Sequence, residues 1–496
     1  MTTTAAVHAF DVIVVGHGIA GLSSAVSAME GGARVAVLER SPAEESGGCT
    51  RYTEAFLRLK NENEVSDDFE TAMAECGSAN SDPNIMRALD AAPEQWSGKV
   101  RATNVTDPEY IATFAREAVP AVQWLKGMGV RYIPTVMPQL SCRKDTPLIC
   151  PSGGGLAMMD ALMAKARAGG VQFFYETPAR SLVQDDSGAV VGVRAMGKGN
   201  KPVTFRAPAV ILANGGFEGS HEMLARYVGV GAANIRPVAP GCHYNHGDGI
   251  RMAIDVGAAP SGDYNAYHAT PVDERSGRFE AKILIFPYGI VVNKLGRRFT
   301  NESSSSTYDN FDRLCYGIQQ QRDGIAYVIV DAKINDIPDW KKAVYTDKQP
   351  IEAATLEQLA KQLDIPVDTF LKTVKEYNAG CRPGAFDPFD GDNLATEGVE
   401  PPKFHWARTI DQGPFLCYPV VPSSIITYGG IKTDSSARVL NTEGDRIPGL
   451  FAAGALVGVY YRKYAGATSV LRGATFGRIA GREAAAQTRA VAMPDA

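Results

Sequence analysis

The chain has 496 residues, 45% of them hydrophobic and 21% charged, which gives material for a large core and length for two or three subdomains. A formal net charge of −5 offers no basic surface for nucleic acid or an anionic membrane. The start of the chain lacks the pattern of a secretory leader and no apolar run reaches membrane-spanning length, so a cytoplasmic protein without a membrane span is expected.

The first predicted elements lie in "FDVIVVGHGIAGLSSAVSAMEGGARVAVLERS", residues 10–41. Val12 to Val15 reads as a strand, Leu22 to Gly31 as a helix of small residues, and Arg34 to Leu38 as a second strand. Gly16, Gly18 and Gly21 stand between the first strand and the helix at G-x-G-x-x-G spacing. Gly16 suits the tight turn, Gly18 lets backbone approach a pyrophosphate, and Gly21 lets the helix pack on the strand. The unpaired N–H groups of the first helical turn then face the phosphates. Glu39, ending the second strand, is placed to accept from ribose hydroxyls. A dinucleotide is the predicted ligand.

Further along come the segments at residues 152–193, "AVILANGGFEG" at 209–219 and "NHGDGIRMAIDVGA" at 245–258. In "GIVVNKLGRRFTNE", residues 289–302, Arg297 and Arg298 are expected to anchor the Asn301–Glu302 turn. The serines at 303–306 are expected to form a mobile loop over a site. Residues 355–381 give helix, turn and helix, and the Pro-, Gly- and Asp-rich 383–404 a surface loop. "IPGLFAAGALVG" at 447–458 reads as a strand into a glycine turn, and "YAGATSVLRGATFGRIAGREAA" at 464–485 as a turn and a helix with small residues on one side. The eight cysteines are scattered without the C-x-x-C spacing of metal, iron–sulfur or haem sites, so no metal is expected and the thiols are expected to be reduced.

Taken in this order, the motifs resemble the fumarate reductase and succinate dehydrogenase flavoprotein superfamily over nearly the whole chain. The resemblance implies FAD and an α/β fold: a Rossmann-like FAD-binding domain, discontinuous over residues 1–262 and 412–496, with an inserted α+β capping domain over 263–411. Along the cofactor it places Gly16, Gly18, Ile19, Ala20 and Gly21, then Glu39 and Arg40, and the loop Gly47, Gly48, Cys49 and Thr50. It adds Ala179, Ala213, Asn214, Gly215 and Asp248 on the adenosine side. Gly454, Ala455, Thr468, Ser469 and Val470 return to the flavin, with the N-terminus of the last helix pointing at the ring. More narrowly, "FPYGIVVN", "SSTYDNF", "TYGGIKTD" and "FGRIAGREAA" are similar to tricarballylate dehydrogenases, and "YAGA" to 3-ketosteroid Δ1-dehydrogenases.

Departures from the superfamily pattern shape the expected chemistry. Fumarate reductases carry a proton-donating arginine shortly after the Asn-Glu pair, where "NESSSSTYDN" has none. Ile426 stands for a family histidine, Tyr464 for a substrate-clamping arginine, and Ala455 for the usual acid. His268 matches a family histidine. The expected reaction is FAD-dependent introduction of a C=C bond next to a carboxylate or ketone of a small substrate, with hydride leaving for the flavin and a protein base taking the proton. Tyr464, His268, Tyr308 and Tyr428 are the candidate catalytic residues, and Tyr288 lies close in sequence. Arg462, Lys463 or Arg472 could supply the positive charge that a phenolate needs. Electrons would leave to a separate acceptor, a partner protein, a quinone or oxygen. The alternatives are a flavin-dependent reductase of an activated alkene and a flavin-binding protein without this chemistry.

Overall fold

Three strands with unbroken apolar sequences, Val12–Val15, Val35–Leu38 and Ala209–Leu212, are buried on every residue. Such runs belong in a parallel sheet covered on both faces. In the computed structural model, which describes residues 6–78, 88, 91, 95–101, 104–135, 147–303 and 307–492, they form the centre of a six-stranded sheet. Its order is Arg438–Leu440, Arg446–Ala452, Ala209–Leu212, Val12–Val15, Val35–Leu38, Gln172–Phe174, parallel except for the first strand. A smaller sheet of Ala6–Ala9, Lys201–Arg206, Val190–Gly197 and Ala179–Gln184 packs beside it.

Two helices lie together on the large sheet. Ile19–Glu30 begins directly after Gly18, three residues earlier than the apolar pattern alone suggests, and Ser469–Ala492 begins only after the Tyr464 turn. Gly473, Gly477 and Gly481 recur every four residues on the second helix, forming one stripe. A Cβ on Gly477 would collide with the carbonyl oxygen of Ala20, and one on Gly481 with that of Ser24. The small residues legible in the sequence therefore exist to let the two helix backbones touch. The contact fixes the N-terminus of the last helix beside the G-x-G-x-x-G turn.

The other sheet is organised by one long strand, Phe415–Thr427. It pairs with Arg236–Pro237, Ala326–Val330, Tyr267–Asp273 and Ile351–Ala353, and Ile290–Asn293 extends the sheet beyond Ala326–Val330. Alternate residues feed two apolar clusters: Val291, Val328 and Val330 join Phe311 and Leu314 of helix Thr307–Gln319, whereas Ile290, Val292 and Ile329 join Leu359 and Phe370 of helices Leu356–Gln362 and Val367–Gly380. The fold is α/β. We keep the division at 262/263 and 411/412 as a proposal. By hydrogen bonding, however, the chain stays in the second sheet as far as Thr427.

Arg298 and Glu302 form the expected anchor: Nε and Nη2 of the arginine donate to the buried carboxylate at 3.0 and 2.7 Å, and Glu302 accepts in turn from the Val291 N–H at 2.9 Å. Of the run 303–306, Ser303 is described and is fully buried, donating to the carbonyl of His405 at 2.8 Å; the other three serines lie outside the described residues. No helix among the described residues is long and apolar enough to cross a membrane.

Candidate active site

A cavity open to solvent runs along the carboxyl ends of the central strands. Gly16, with φ +111°, makes the turn into the helix, and a Cβ there or on Gly21 would strike backbone. Gly18 caps helix Ile19–Glu30 without a side-chain hydrogen bond of its own; the Ile19 N–H donates to Thr50 Oγ1 at 3.2 Å, and the rest of the helix end borders the cavity. Glu39 is nearly buried in the wall; its Oε1 accepts from the Ser41 N–H at 2.8 Å, and burial raises its pKa. Arg40 and Asp248 both line the cavity and meet at 2.6 Å. Two buried oxygens in the lining residues, Asn214 Oδ1 and Glu218 Oε2, have no hydrogen-bond partner. A glycine cradle, a helix end, an acid at the end of the second strand and unpaired polar atoms fit a dinucleotide.

The residues expected along the cofactor line this cavity, apart from four. Ala20, Gly21, Gly47 and Thr468 stand behind it: Gly21 against Gly16, Gly47 against Met159, and Ala20 against Gly454 and Gly477. Thr468 meets the Tyr460 hydroxyl at 2.7 Å. The sequence reading missed His17, Ser41, Thr177, Glu218 and Asn245 in the lining. His17 sits inside the glycine motif itself. Burial, with Arg167 and Arg51 nearby, lowers its pKa to about 4, so the ring is a neutral wall packed on Phe173 and Tyr175.

A second cavity shares Thr53, Glu280, Ile425, Ser469 and Val470 with the first. Tyr464 and His268 lie in its wall with their rings 4.2 Å apart. The Tyr464 hydroxyl accepts from the Thr468 N–H at 3.1 Å and the Ser469 N–H at 2.9 Å, at the N-terminal end of the last helix. Its own proton points to Ser469 Oγ at 2.9 Å. Strand Tyr267–Asp273 carries a register shift between His268 and Ala269, a bulge of the kind that re-aims a side chain beside a site. His268 Nδ1 lies 3.0 Å from Asp312 Oδ1. Asp312 also accepts from the Ala269 N–H at 2.7 Å and the Tyr428 hydroxyl at 2.6 Å. Three donors converge on this buried carboxylate, so it is an acceptor that assigns the proton of His268 to Nδ1 and leaves Nε2 as the acceptor.

Tyr428 was expected as a base. Its hydroxyl is instead buried behind His268, and burial, aided by Asp312, holds its pKa well above the ordinary phenol range. Tyr288 donates to the Pro388 carbonyl at 2.6 Å, within the apolar core of the second sheet. Tyr308 belongs to helix Thr307–Gln319, but its side chain lies outside the described residues. Of the three candidate cations, Arg462 is exposed and Lys463 pairs with Glu75 at 3.2 Å. Arg472 is buried, 5.0 Å from the ring of Tyr460, the residue bonded to Thr468. Asp312 and the trio Lys282, Glu280 and Glu54 were missed. Lys282 lies 2.9 Å from Glu280 and 3.2 Å from Glu54. Burial opposes its charge, but the two carboxylates outweigh burial and hold its pKa above the usual lysine range.

Comparison with known proteins agrees with this geometry. The FAD binding domain family matches residues 11–471, and the chain belongs to it, within the fumarate reductase and succinate dehydrogenase flavoprotein superfamily. FAD is its cofactor, and it is an oxidoreductase acting on CH–CH or C=C groups. A vinyl phenol reductase of Lactiplantibacillus plantarum is 27% identical over 97% of both chains. The 4-oxocyclohexanecarboxylate 2-dehydrogenase of Sinomonas cyclohexanicum is 31% identical over 67% of this chain and 61% of its own. The open conformation of a flavocytochrome c3 fumarate reductase superposes with a TM-score of 0.73 at 24% identity, covering 97% of this chain and 79% of that one.

Proposed function

We propose that the chain desaturates a small ketone at the carbons α and β to its carbonyl. The carrying observation is the pairing of Tyr464, held by two backbone N–H groups, with His268, held by Asp312, in one cavity wall. A carbonyl oxygen that takes over the Tyr464 proton from Ser469 gains a donor whose lone pairs are already bound, which polarises it toward an enolate. His268 Nε2 then takes the α proton, and Asp312 steadies the imidazolium that results. When bound, the flavin accepts the hydride from the β carbon. Tyr464 is therefore assigned as the electrophile and His268 as the base. The electrons then pass to a separate acceptor, a partner protein, a quinone or oxygen, in the cytoplasmic setting read from the sequence.

A ketone is favoured over a tricarboxylate by charge. Lys282, the cation in the cavity wall among the described residues, is already matched by Glu54 and Glu280, whereas several substrate carboxylates would need several unmatched cations. The likeness to a 4-oxocyclohexanecarboxylate dehydrogenase supports the same choice. A second reading, reduction of an activated alkene, is supported by the end-to-end likeness to a vinyl phenol reductase and uses the same donor and base in reverse. The test is anaerobic: the oxidised flavin absorbance is followed while cyclic ketones, saturated acids and tricarballylate are added in turn. Bleaching by ketones alone is expected. Bleaching by acids alone would overturn the ketone assignment. A flavin that none of them reduces, but that an activated alkene reoxidises after dithionite, would establish the reductase.

A further inference from the structure

Cys49 and Cys242 belong to turns far apart in the chain, Gly48–Tyr52 and Pro240–Tyr244, yet their Sγ atoms stand 2.6 Å apart. Each cysteine follows a glycine, and those two glycines are in backbone contact, since a Cβ on Gly241 would collide with the carbonyl group of Gly48. The two turns are thus held together by backbone contact, and in the side-chain rotamers present the two sulfur atoms face each other. Both residues are free thiols in the structure. Cys242 is fully buried among Val238, Ala239 and Ile425, while Cys49 forms part of the cofactor cavity wall and accepts from Asn245 Nδ2 at 3.4 Å. Ile425, packed on the pair, lines both cavities, so the two thiols lie where the cofactor and substrate spaces join.

We propose that Cys49 and Cys242 are a dithiol–disulfide couple that exchanges an electron pair with the flavin. In one direction both S–H bonds break and the Sγ–Sγ bond forms; the thiols lose two electrons and two protons, and oxidised flavin takes them up. In the other direction the reduced flavin returns two electrons and two protons, the Sγ–Sγ bond breaks, and both thiols re-form. Substrate oxidation supplies the reduced flavin, and the enzyme's acceptor removes the stored pair through the same flavin. The Cys242 thiol and burial together hold the Cys49 pKa well above the usual thiol range. The inference rests on FAD as the cofactor and not on the substrate class.

The experiment is an anaerobic dithionite titration of the purified yellow holoprotein, with thiols counted after denaturation in parallel. Oxidised protein is expected to show six free thiols, the eight of the sequence less the pair, rising to eight after titration. A peptide map should link Cys49 to Cys242. Full reduction should take four electrons per flavin, against two for Cys242→Ser. Eight thiols in the oxidised protein, or a two-electron titration of the unaltered chain, would overturn the couple. Because the thiol count and peptide map use the unaltered protein, they decide the matter even if Cys242→Ser or Cys49→Ser loses its flavin.

Discussion

The two cavities are built differently. The cofactor cavity is framed by backbone: turns closed by Gly16 and Gly21, a helix end at Gly18, and two helices brought into contact by Gly477 and Gly481. The substrate cavity is framed by side chains from segments far apart in the chain, with His268, Lys282, Phe311 and Tyr464 converging on one space. A backbone-defined site restricts residue type at fixed spacing, because only glycine fits a close approach or a positive φ. A side-chain-defined site restricts only which groups meet, and many sequences satisfy that. Substitutions of residues that line the second cavity alone should therefore change catalysis while leaving flavin binding in the first intact.

The largest effect expected from this contrast comes from Asp312→Asn. An amide can donate to His268 Nδ1 and so favour the tautomer that protonates Nε2, removing the base. The expected loss is about 10²- to 10⁴-fold in kcat, with an unchanged flavin spectrum, measured by anaerobic stopped-flow bleaching. A fall of less than about tenfold would sink the assignment of His268 as base. Next comes Tyr464→Phe, which removes the carbonyl donor and leaves the Thr468 and Ser469 N–H groups without their acceptor. Loss of one such donor corresponds to about 10²- to 10³-fold in kcat. If the variant instead lost FAD in a filtration assay, the residue would belong to the cofactor side of the comparison.

The same contrast explains what could be read from the sequence. The βαβ unit, the flanking acid Glu39 and the small-residue stripe of the last helix each follow from a local spacing, so the dinucleotide-binding unit was legible. FAD itself, the two-part fold, Tyr464 and His268 were reached through family likeness. Asp312 was not found, because it lies within helix Thr307–Gln319 among Phe311, Leu314 and Cys315 and carries no motif of its own. Its role comes from a bulge 44 residues upstream that turns His268 toward it. Lys282 with Glu280 and Glu54 escaped notice for a related reason: Glu54 is 228 residues from the lysine. Tyr428 was misassigned because its segment does approach the site, but its side chain points at Asp312 from behind.

Glu218 allows a milder test of the cofactor side. It is buried in the cavity wall, Oε1 accepts from the Thr427 N–H at 3.2 Å, and burial raises its pKa to about 7. A carboxyl whose folded pKa lies above its unfolded value contributes stability that is complete below about pH 4.5 and lost as pH rises through about 7. The apoprotein should thus lose on the order of 2–3 kcal/mol between those limits from this group. Glu218→Gln should flatten that part of the curve, read as Tm against pH. An unchanged slope would show that the carboxyl is already ionised in the fold.

The smallest effect, and the one that separates the sequence reading from the structural one most sharply, is expected for Tyr428→Phe. If Tyr428 were the base, removing its hydroxyl would cost about 10²- to 10⁴-fold in kcat. As a positioning residue it only donates to Asp312 Oδ2, and Asp312 keeps its bonds to the Ala269 N–H and His268. Loss of one of the three donors to Asp312 should lower kcat by less than about tenfold. A loss of a hundredfold would return Tyr428 to the reacting atoms, and the side-chain cavity would then have to extend behind the His268 ring.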